Sequence, residues 1–359
     1  MKLLLVLLLC NTSILFAQLS DNLKIGKELL STEIKYPSSD KVISKIALGS
    51  CGYQDLSQPI LSVAADWNPD VFLYLGDNIY GDTENMDTLR AKYNRLGSKP
   101  EFKKLVKKSS ILAVWDDHDY GVNDGGLEYP KKEESKEIFL QFWNEPLKSE
   151  RRNHLGIYHS YFTGPTGKRI QFIMLDNRTF RTPVVAGIPG KDLNDYIVDT
   201  NKNAKMLGDE QWKWLENELL KQADIRIIMS STQFVSEFNG YELWALKPYE
   251  KQRMIDLIKK TKAEGILFVS GDVHFGEVSK QTPSDCYPLY DFTSSGITST
   301  DFTQPNKYRI GKEIHENHFG GITIDWNQKD PSITFELYNT VKDIVYSHSI
   351  KKSELSFPR

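Results

Sequence analysis

Cysteine is scarce in this chain: there are three in 359 residues, at positions 10, 51 and 286. Cys10 lies inside an apolar leader, so only Cys51 and Cys286 remain and at most one disulfide can form between them. Charge of one sign is not in excess either, with 45 basic and 48 acidic residues. The chain thus has no electrostatic footprint for nucleic acid or for an anionic membrane surface. Internal repeats and linkers rich in Pro, Gly or Ser are missing, which favours a single domain with ample core. Beyond the N-terminus no apolar run is long enough to cross a bilayer, so no transmembrane span is expected. A monomer is expected.

What is present begins with one positive charge, Lys2, and an apolar run from Leu3 to Leu9 that fades into Phe16-Ala17-Gln18. This has the form of a secretory signal peptide over residues 1–17, cleaved after Ala17, and it implies an exported protein, periplasmic or extracellular. Lipidation of Cys10 is not expected, because Leu9 stands where a small residue belongs. Residues 18–41 read as a helical lead-in, with Leu23, Ile25, Leu29 and Leu30 at rough helical spacing. Residues 42–359 read as one α/β domain.

Within that domain, apolar strand-like runs end again and again in residues that chemistry can use. Strand 42–48 runs into Gly49-Ser50-Cys51-Gly52, and strand 71–75 into Gly76-Asp77-Asn78-Ile79-Tyr80. The run Leu112-Ala-Val-Trp115 stops at Asp116-Asp117-His118-Asp119, and strand 265–270 stops at Gly271-Asp272-Val273-His274. Paired strands 158–162 and 169–175 lead to Asp176-Asn177-Arg178 and then Arg181, and strand 225–229 leads to Gln233. Helices are expected over 58–67, 88–108, 131–143 and 248–262, with another whose start Asp209 caps. A loop covers 183–206. Alternating patterns over 322–326, 333–338 and 344–350 predict antiparallel strands.

In an open α/β sheet the carboxyl ends of the strands share one edge, where ligands bind. Cys51, Asp77, Asp117 with His118, and Asp272 with His274 are therefore expected to converge. Carboxylates buried beside carboxylates cost several kcal/mol unless a cation compensates, and residues 112–121 contain no Lys or Arg. A metal centre of mixed ligands is the economical answer. A thiolate with a phenolate suits ferric iron or zinc, and surplus carboxylates suit a harder ion such as calcium, magnesium or manganese, with Asp77 central to both. Adjacent metals of this kind clamp a phosphoryl oxygen and activate water, which predicts phosphoester hydrolysis.

Alternatives remain open for single residues. Cys51 is either a thiolate ligand, favoured by its flanking glycines, or half of a disulfide with Cys286. Tyr80 is a ligand or a rim aromatic. Arg178 and Arg181 bind phosphate in forked geometry, or Arg178 pairs with Asp176. Asn123 and Asp124 support the metal loop or only form a turn.

The motifs Gly49-Ser-Cys51, Leu75-Gly-Asp77-Asn-Ile-Tyr80, Trp115-Asp-Asp117-His118-Asp119, Leu175-Asp176-Asn-Arg178, Gln211-Trp-Lys-Trp-Leu215 and Gly271-Asp272-Val-His274 follow one another in this order. As a set, over residues 43 to 300, they resemble the alkaline phosphatase D (PhoD-like) family. The resemblance implies the calcineurin-like metallophosphoesterase fold, a two-sheet α/β sandwich flanked by helices (α/β/β/α), and makes 42–359 a PhoD-like metallophosphatase domain. It implies that Cys51, Asp77, Tyr80 and His274 hold Fe3+. It likewise implies that Asp77, Asp117 and Asp272 hold Ca2+, with Zn2+, Mn2+ or Mg2+ as other divalent ions. His118 takes the place of the histidine that contacts substrate and protonates the leaving group. Arg178, Arg181 and Asn123 are the candidate substrate contacts. The expected partner is a small-molecule or lipid phosphoester. The expected activity is that of a secreted metal-dependent phosphatase or phosphodiesterase. A phospholipid-cleaving diesterase and a non-catalytic metal- or phosphate-binding protein are the rival readings.

Overall fold

The computed structural model describes residues 33–300 and 303–358. The signal-peptide expectation, with Cys10, lies outside the described residues, as does most of the helical lead-in. The described end of the lead-in, 33–41, is not helical.

In chain order the elements begin β1 (Lys45–Gly49), α1 (Pro59–Trp67), β2 (Val71–Leu75), α2 (Met86–Ser98), α3 (Pro100–Lys108), β3 (Ser110–Val114), the single turn α4 (Asp117–Tyr120) and α5 (Lys132–Phe142). Then come β4 (His159–Thr163), β5 (Ile170–Met174), β6 (Val185–Ala186), β7 (Tyr196–Ile197), α6 (Gly208–Leu219), β8 (Ile225–Met229), α7 (Pro248–Thr261) and β9 (Ile266–Ser270). The chain closes with β10 (Gly276–Gln281), β11 (Leu289–Ser294), β12 (Arg309–Ile314), β13 (His318–Asp325), β14 (Ser332–Asn339) and β15 (Ile344–Lys351).

These strands form two large sheets, one of six strands in the order β15-β14-β13-β1-β2-β3 and one of seven in the order β12-β10-β11-β9-β8-β5-β4. In the first, β1, β2 and β3 are parallel, and β13 pairs antiparallel with β1. In the second, β5, β8, β9 and β11 are parallel. Every residue of β2, β5, β8 and β9 is buried, as expected for parallel strands covered on both faces. By contrast β14 alternates, turning Ile333, Phe335 and Leu337 inward. One apolar core runs through both sheets, which meet where Phe292 of β11 stacks on Phe335 of β14 at 4.7 Å between ring centroids. Helices cover the outer faces, so the α/β/β/α sandwich expected from the resemblance is what the chain builds.

Four local expectations change. The helix expected over 88–108 is two helices, because Pro100 holds Lys99 in an extended conformation (φ −64°, ψ 133°). Asp209 does not cap α6; Leu207 takes that position without a side-chain bond, and Asp209 sits in the first turn, where its charge suits the helix N-terminus. The 183–206 loop contains the short hairpin β6–β7. Strands β10 to β12 go unread in the sequence because GEVSKQ, LYDFTS and RIGKEI are neither continuously apolar nor cleanly alternating.

Candidate metal centre

The residues expected to converge do so, but at the shared end of two sheets rather than the edge of one. Cys51, Asp77 and Asp117 follow β1, β2 and β3 of the six-stranded sheet, whereas Asp272 and His274 follow β9 of the seven-stranded sheet. Strands β1, β2 and β9 run into backbone that side chains rarely adopt. Cys51, Asp77, Asp272 and His274 all have positive φ, at 59°, 49°, 72° and 60°. Such residues cost about 1–3 kcal/mol each and persist where the surroundings over-determine them. Here the surroundings are hydrogen bonds between loops. Gly52 N–H donates to Asp77 O at 2.9 Å, Thr298 N–H to Cys51 O at 3.1 Å, and His274 N–H to Ser295 Oγ at 2.8 Å. Gly76 (φ 101°) must be glycine, since a Cβ there would lie 2.6 Å from the Asp116 Cβ.

Asp77 is the hinge of two donor groups. On one side, donor atoms of Cys51, Asp77 and His274 lie within 4.8 Å of one another. Cys51 Sγ is 3.4 Å from Asp77 Oδ2, and Tyr80 Oη is 3.1 Å from His274 Nε2. On the other side, oxygens of Asp77, Asp116, Asp117 and Asp272 lie within the same 4.8 Å limit. A buried oxygen of each of Asp77, Asp116 and Asp117 has no hydrogen-bond partner. Burial raises the Cys51 thiol to about 12, although Ser295 and Ser50 hydrogen-bond to it. Burial, then the neighbouring anionic groups Cys51 and Asp117, holds Asp77 well above the usual carboxylate range. Asp272 is pushed the same way by burial and by Asp116 and Asp117. Orphaned buried oxygens in a mixed sulfur, nitrogen and oxygen set fit a cation, and among the described residues no lysine or arginine forms an ion pair with Asp77.

Beside this group lies an acidic cluster that does have cations. Arg178 Nε donates to Asp116 Oδ1 at 2.5 Å, its other arm binds Glu242, and Arg181 reaches Glu242 Oε1 at 3.1 Å. Both arginine side chains are almost completely buried. Of the alternatives for Arg178, the pairing is with Asp116 and Glu242 rather than Asp176, while Arg181 also donates to the backbone carbonyls of Thr182 and Asp124. Asp176 instead accepts the backbone N–H groups of Arg178 and Thr179, both at 2.9 Å. Burial raises Asp117, but Arg178, His118 and the Asp124 backbone N–H together bring it down to about 2. Asn123 is exposed, and its amide donates to Asp124 Oδ2 at 2.6 Å at the mouth of a cleft of about 170 Å³.

His118 lies on α4, and one of its nitrogens is within 4.8 Å of carboxylate oxygens of Asp77 and Asp117. Its Nδ1 is 2.7 Å from Asp82 Oδ1. Burial lowers its pKa, but the Asp82 hydrogen bond and the charge of Asp117 win and raise it to about 9. Asp82, Glu242 and Ser295 were not found by sequence reasoning. Asp82 carries a readable signal, an acid two residues past Tyr80, while Glu242 and Ser295 follow no strand-end pattern. Asp119 and Asn78 brace the turns: Asp119 accepts from Asp116 N at 2.6 Å and Asp77 N at 3.2 Å, and Asn78 donates to Val114 O at 2.8 Å. Cys51 and Cys286 are both buried and unbridged, so the disulfide alternative falls.

Two face-to-face sheets with metal-competent donors at their common end make a metallophosphoesterase-like fold. The family model of PhoD-like phosphatases matches residues 47–329, and the chain belongs to that family. It is 23% identical over 270 residues to alkaline phosphatase D of Bacillus subtilis (strain 168), a match covering 65% of this chain and 45% of that protein. The chain thus spans less than half of that relative's length. A solved structure of PhoD is similar with a TM-score of 0.66 at 16% identity, over 88% of this chain and 73% of that one. Purple acid phosphatase PPD1 from yellow lupin (Lupinus luteus) seeds has a TM-score of 0.59 at 12% identity, over 88% and 55%. GAP50, the anchor in the inner membrane complex of Plasmodium, has a TM-score of 0.53 at 15% identity, over 89% and 90%. These structural likenesses establish the fold. Among the described residues no helix is long and apolar enough to cross a membrane.

Proposed function

We propose that this chain is an exported, metal-dependent phosphoester hydrolase. The observation that carries the reading is Asp77: a buried carboxylate shared by a Cys51–His274 group and an Asp116–Asp117–Asp272 group, with an oxygen left without a partner. In this reading Cys51, Asp77, Tyr80 and His274 hold the softer, more Lewis-acidic ion, Fe3+ in the family pattern. Asp77, Asp117 and Asp272 hold a harder divalent ion such as Ca2+. When bound, such ions neutralise phosphoryl oxygens and lower the pKa of water.

The chain's own groups do the rest. His118, kept protonated by Asp82, donates its remaining N–H to the oxygen of the departing alcohol as the P–O bond breaks. Water supplies the oxygen of the new P–O bond and loses its proton to solvent. Asn123 offers an exposed amide at the cleft mouth. Arg178 and Arg181 keep Asp116 and Glu242 in place and do not touch substrate. The same centre serves a phospholipid-cleaving diesterase, because no part of it counts the ester arms. A non-catalytic reading has one observation behind it: GAP50, an anchor protein, shares this fold over nearly its whole length.

Purified protein assayed with p-nitrophenyl phosphate and bis(p-nitrophenyl) phosphate, with and without chelator, separates these readings. Chelator-sensitive release of nitrophenol supports the hydrolase, and faster release from the bis-ester supports the diesterase. No release from either, in protein that holds metal by elemental analysis, would overturn the hydrolase in favour of a binding protein.

A further inference from the structure

Next to the metal groups the loop after β1 carries an aromatic ring that the chemistry above does not use. Tyr53 is 37% exposed, and its ring centroid lies 5.2 Å from that of Tyr80. The Tyr80 ring in turn lies 4.3 Å from the His118 imidazole. Tyr53 is also held in place. Its backbone N–H donates to Thr298 Oγ1 at 2.8 Å, and Thr298 Oγ1 donates to Cys51 O at 3.1 Å. The next residue back, Gly52, is bonded to Asp77 O at 2.9 Å. A half-exposed ring of this kind adds little to the core, yet its backbone is tied to the loop of a proposed ligand.

The rest of the cleft is of another character. Asp124, Asp195, Glu242 and Asp272 line the pocket of about 170 Å³ beside His274, together with Tyr196, Tyr241 and Val273, and among the described residues no lysine or arginine lines it. Four carboxylates make that pocket a costlier place for an apolar arm of a substrate than an open aromatic face. The Tyr80 ring lies between the His118 imidazole and Tyr53, so a departing alcohol set against His118 extends over the Tyr80–Tyr53 side.

We propose that Tyr53 and Tyr80 form an aromatic shelf for the departing alcohol, making Tyr53 a specificity-determining residue that favours aryl or flat apolar leaving groups. This rests on the reading of the site as a phosphoester hydrolase whose leaving group lies against His118. Stacking on an exposed aromatic contributes roughly a factor of ten in affinity.

The test uses two non-hydrolysable probes, phenylphosphonate and methylphosphonate, titrated calorimetrically into the metal-containing protein, beside hydrolysis of phenyl and methyl phosphate esters. Wild type is expected to bind the phenyl probe about tenfold more tightly. Tyr53→Ala should reduce that ratio to about twofold or less, while Tyr53→Phe keeps it. Tyr249→Ala, at an exposed tyrosine on α7 that does not line the cleft, controls for loss of any surface ring. Equal phenyl-to-methyl ratios in wild type and Tyr53→Ala, with both probes bound and ester hydrolysed, overturn the shelf and leave the hydrolase standing. Failure of either phosphonate to bind, with no ester hydrolysed, overturns both. A Tyr53→Phe protein that loses the preference as fully as Tyr53→Ala also overturns the shelf, because the hydroxyl rather than the ring would then be responsible.

Discussion

Two buried acidic clusters lie side by side at the common end of the sheets, and only one brings its own cations. In the first, Asp116 and Glu242 grip Arg178, and Arg181 adds a second contact to Glu242. Burial raises Glu242, yet Arg178 and Arg181 hold it below its ordinary value, and Asp117 falls to about 2. In the second, Asp77 is buried and Asp272 partly so, and both are held well above the carboxylate range. Asp116, with Arg178 at one oxygen and no hydrogen-bond partner at the other, lies between them, raised by burial to about 6. What separates the carboxylates is how many positive or hydrogen-bonding partners offset their burial. A carboxylate matched inside the protein is structural; one left unmatched is a place for an ion from outside. Asp117 faces both ways, 3.7 Å from Arg178 and within the Asp77 group, and so couples the two.

The sharpest break in this comparison is Asp77→Asn. It removes the shared ligand, so phosphoester hydrolysis should fall by about three orders of magnitude or more, with loss of bound metal by elemental analysis. In chelated protein the same change should raise stability, by about 1–3 kcal/mol, since an uncompensated buried acid is gone. Retained metal and full activity would place the centre elsewhere.

Arg178→Met should act with the opposite sign in chelated protein. It strands Asp116 and Glu242 without their partner and should cost about 3–5 kcal/mol in urea unfolding, whether or not metal is present. A smaller loss than that of an ordinary core truncation would mean the cluster is not what holds the loops.

His318 extends the comparison to a buried base with no counter-charge. It is fully buried, its Nδ1 donates to Glu316 O at 2.8 Å, and burial depresses its pKa to about 4. The unfolded chain, with a pKa of about 6.5, binds the proton first. Stability is therefore fully present above about pH 6.5 and is lost as pH falls toward 4, by about 3 kcal/mol in all. Unfolding midpoints measured against pH should show this slope, and His318→Leu should flatten it.

The smallest expected effect belongs to Asp82→Asn. Without the carboxylate at 2.7 Å, His118 is less firmly oriented and less basic, and turnover of alkyl phosphate esters should fall roughly tenfold. The loss should be smaller with p-nitrophenyl esters, whose leaving group needs little protonation. An equal loss for both classes would show that His118 is not the proton donor.

Much of the architecture was readable because parallel strands buried on both faces are short continuous apolar runs. Val71–Leu75 and Ile225–Met229 were delimited to the residue, and each expected metal ligand was found at the end of such a run. Strands β10 to β12 were missed for the converse reason. They hold Lys, Ser, Glu and Asp, some of them buried in a hydrogen-bond network: Glu277 is fully buried and bonded to Gln233 and Arg309. The same loss of pattern hid Ser295, just past β11, although it anchors both His274 N–H and the Cys51 thiol.

Taken alone, the order of residues settled that Leu112-Ala-Val-Trp115 would be buried, and that three acids and a histidine would follow it with no basic residue in the run. Hydrophobic burial and helix-strand alternation are short-range properties, legible within a few turns of chain. Packing of one sheet on the other decided which acid received an arginine. Arg178 lies 62 residues from Asp116 and 64 from Glu242 along the chain, yet touches both. Charge compensation depends on distance in space, and no local pattern carries that information.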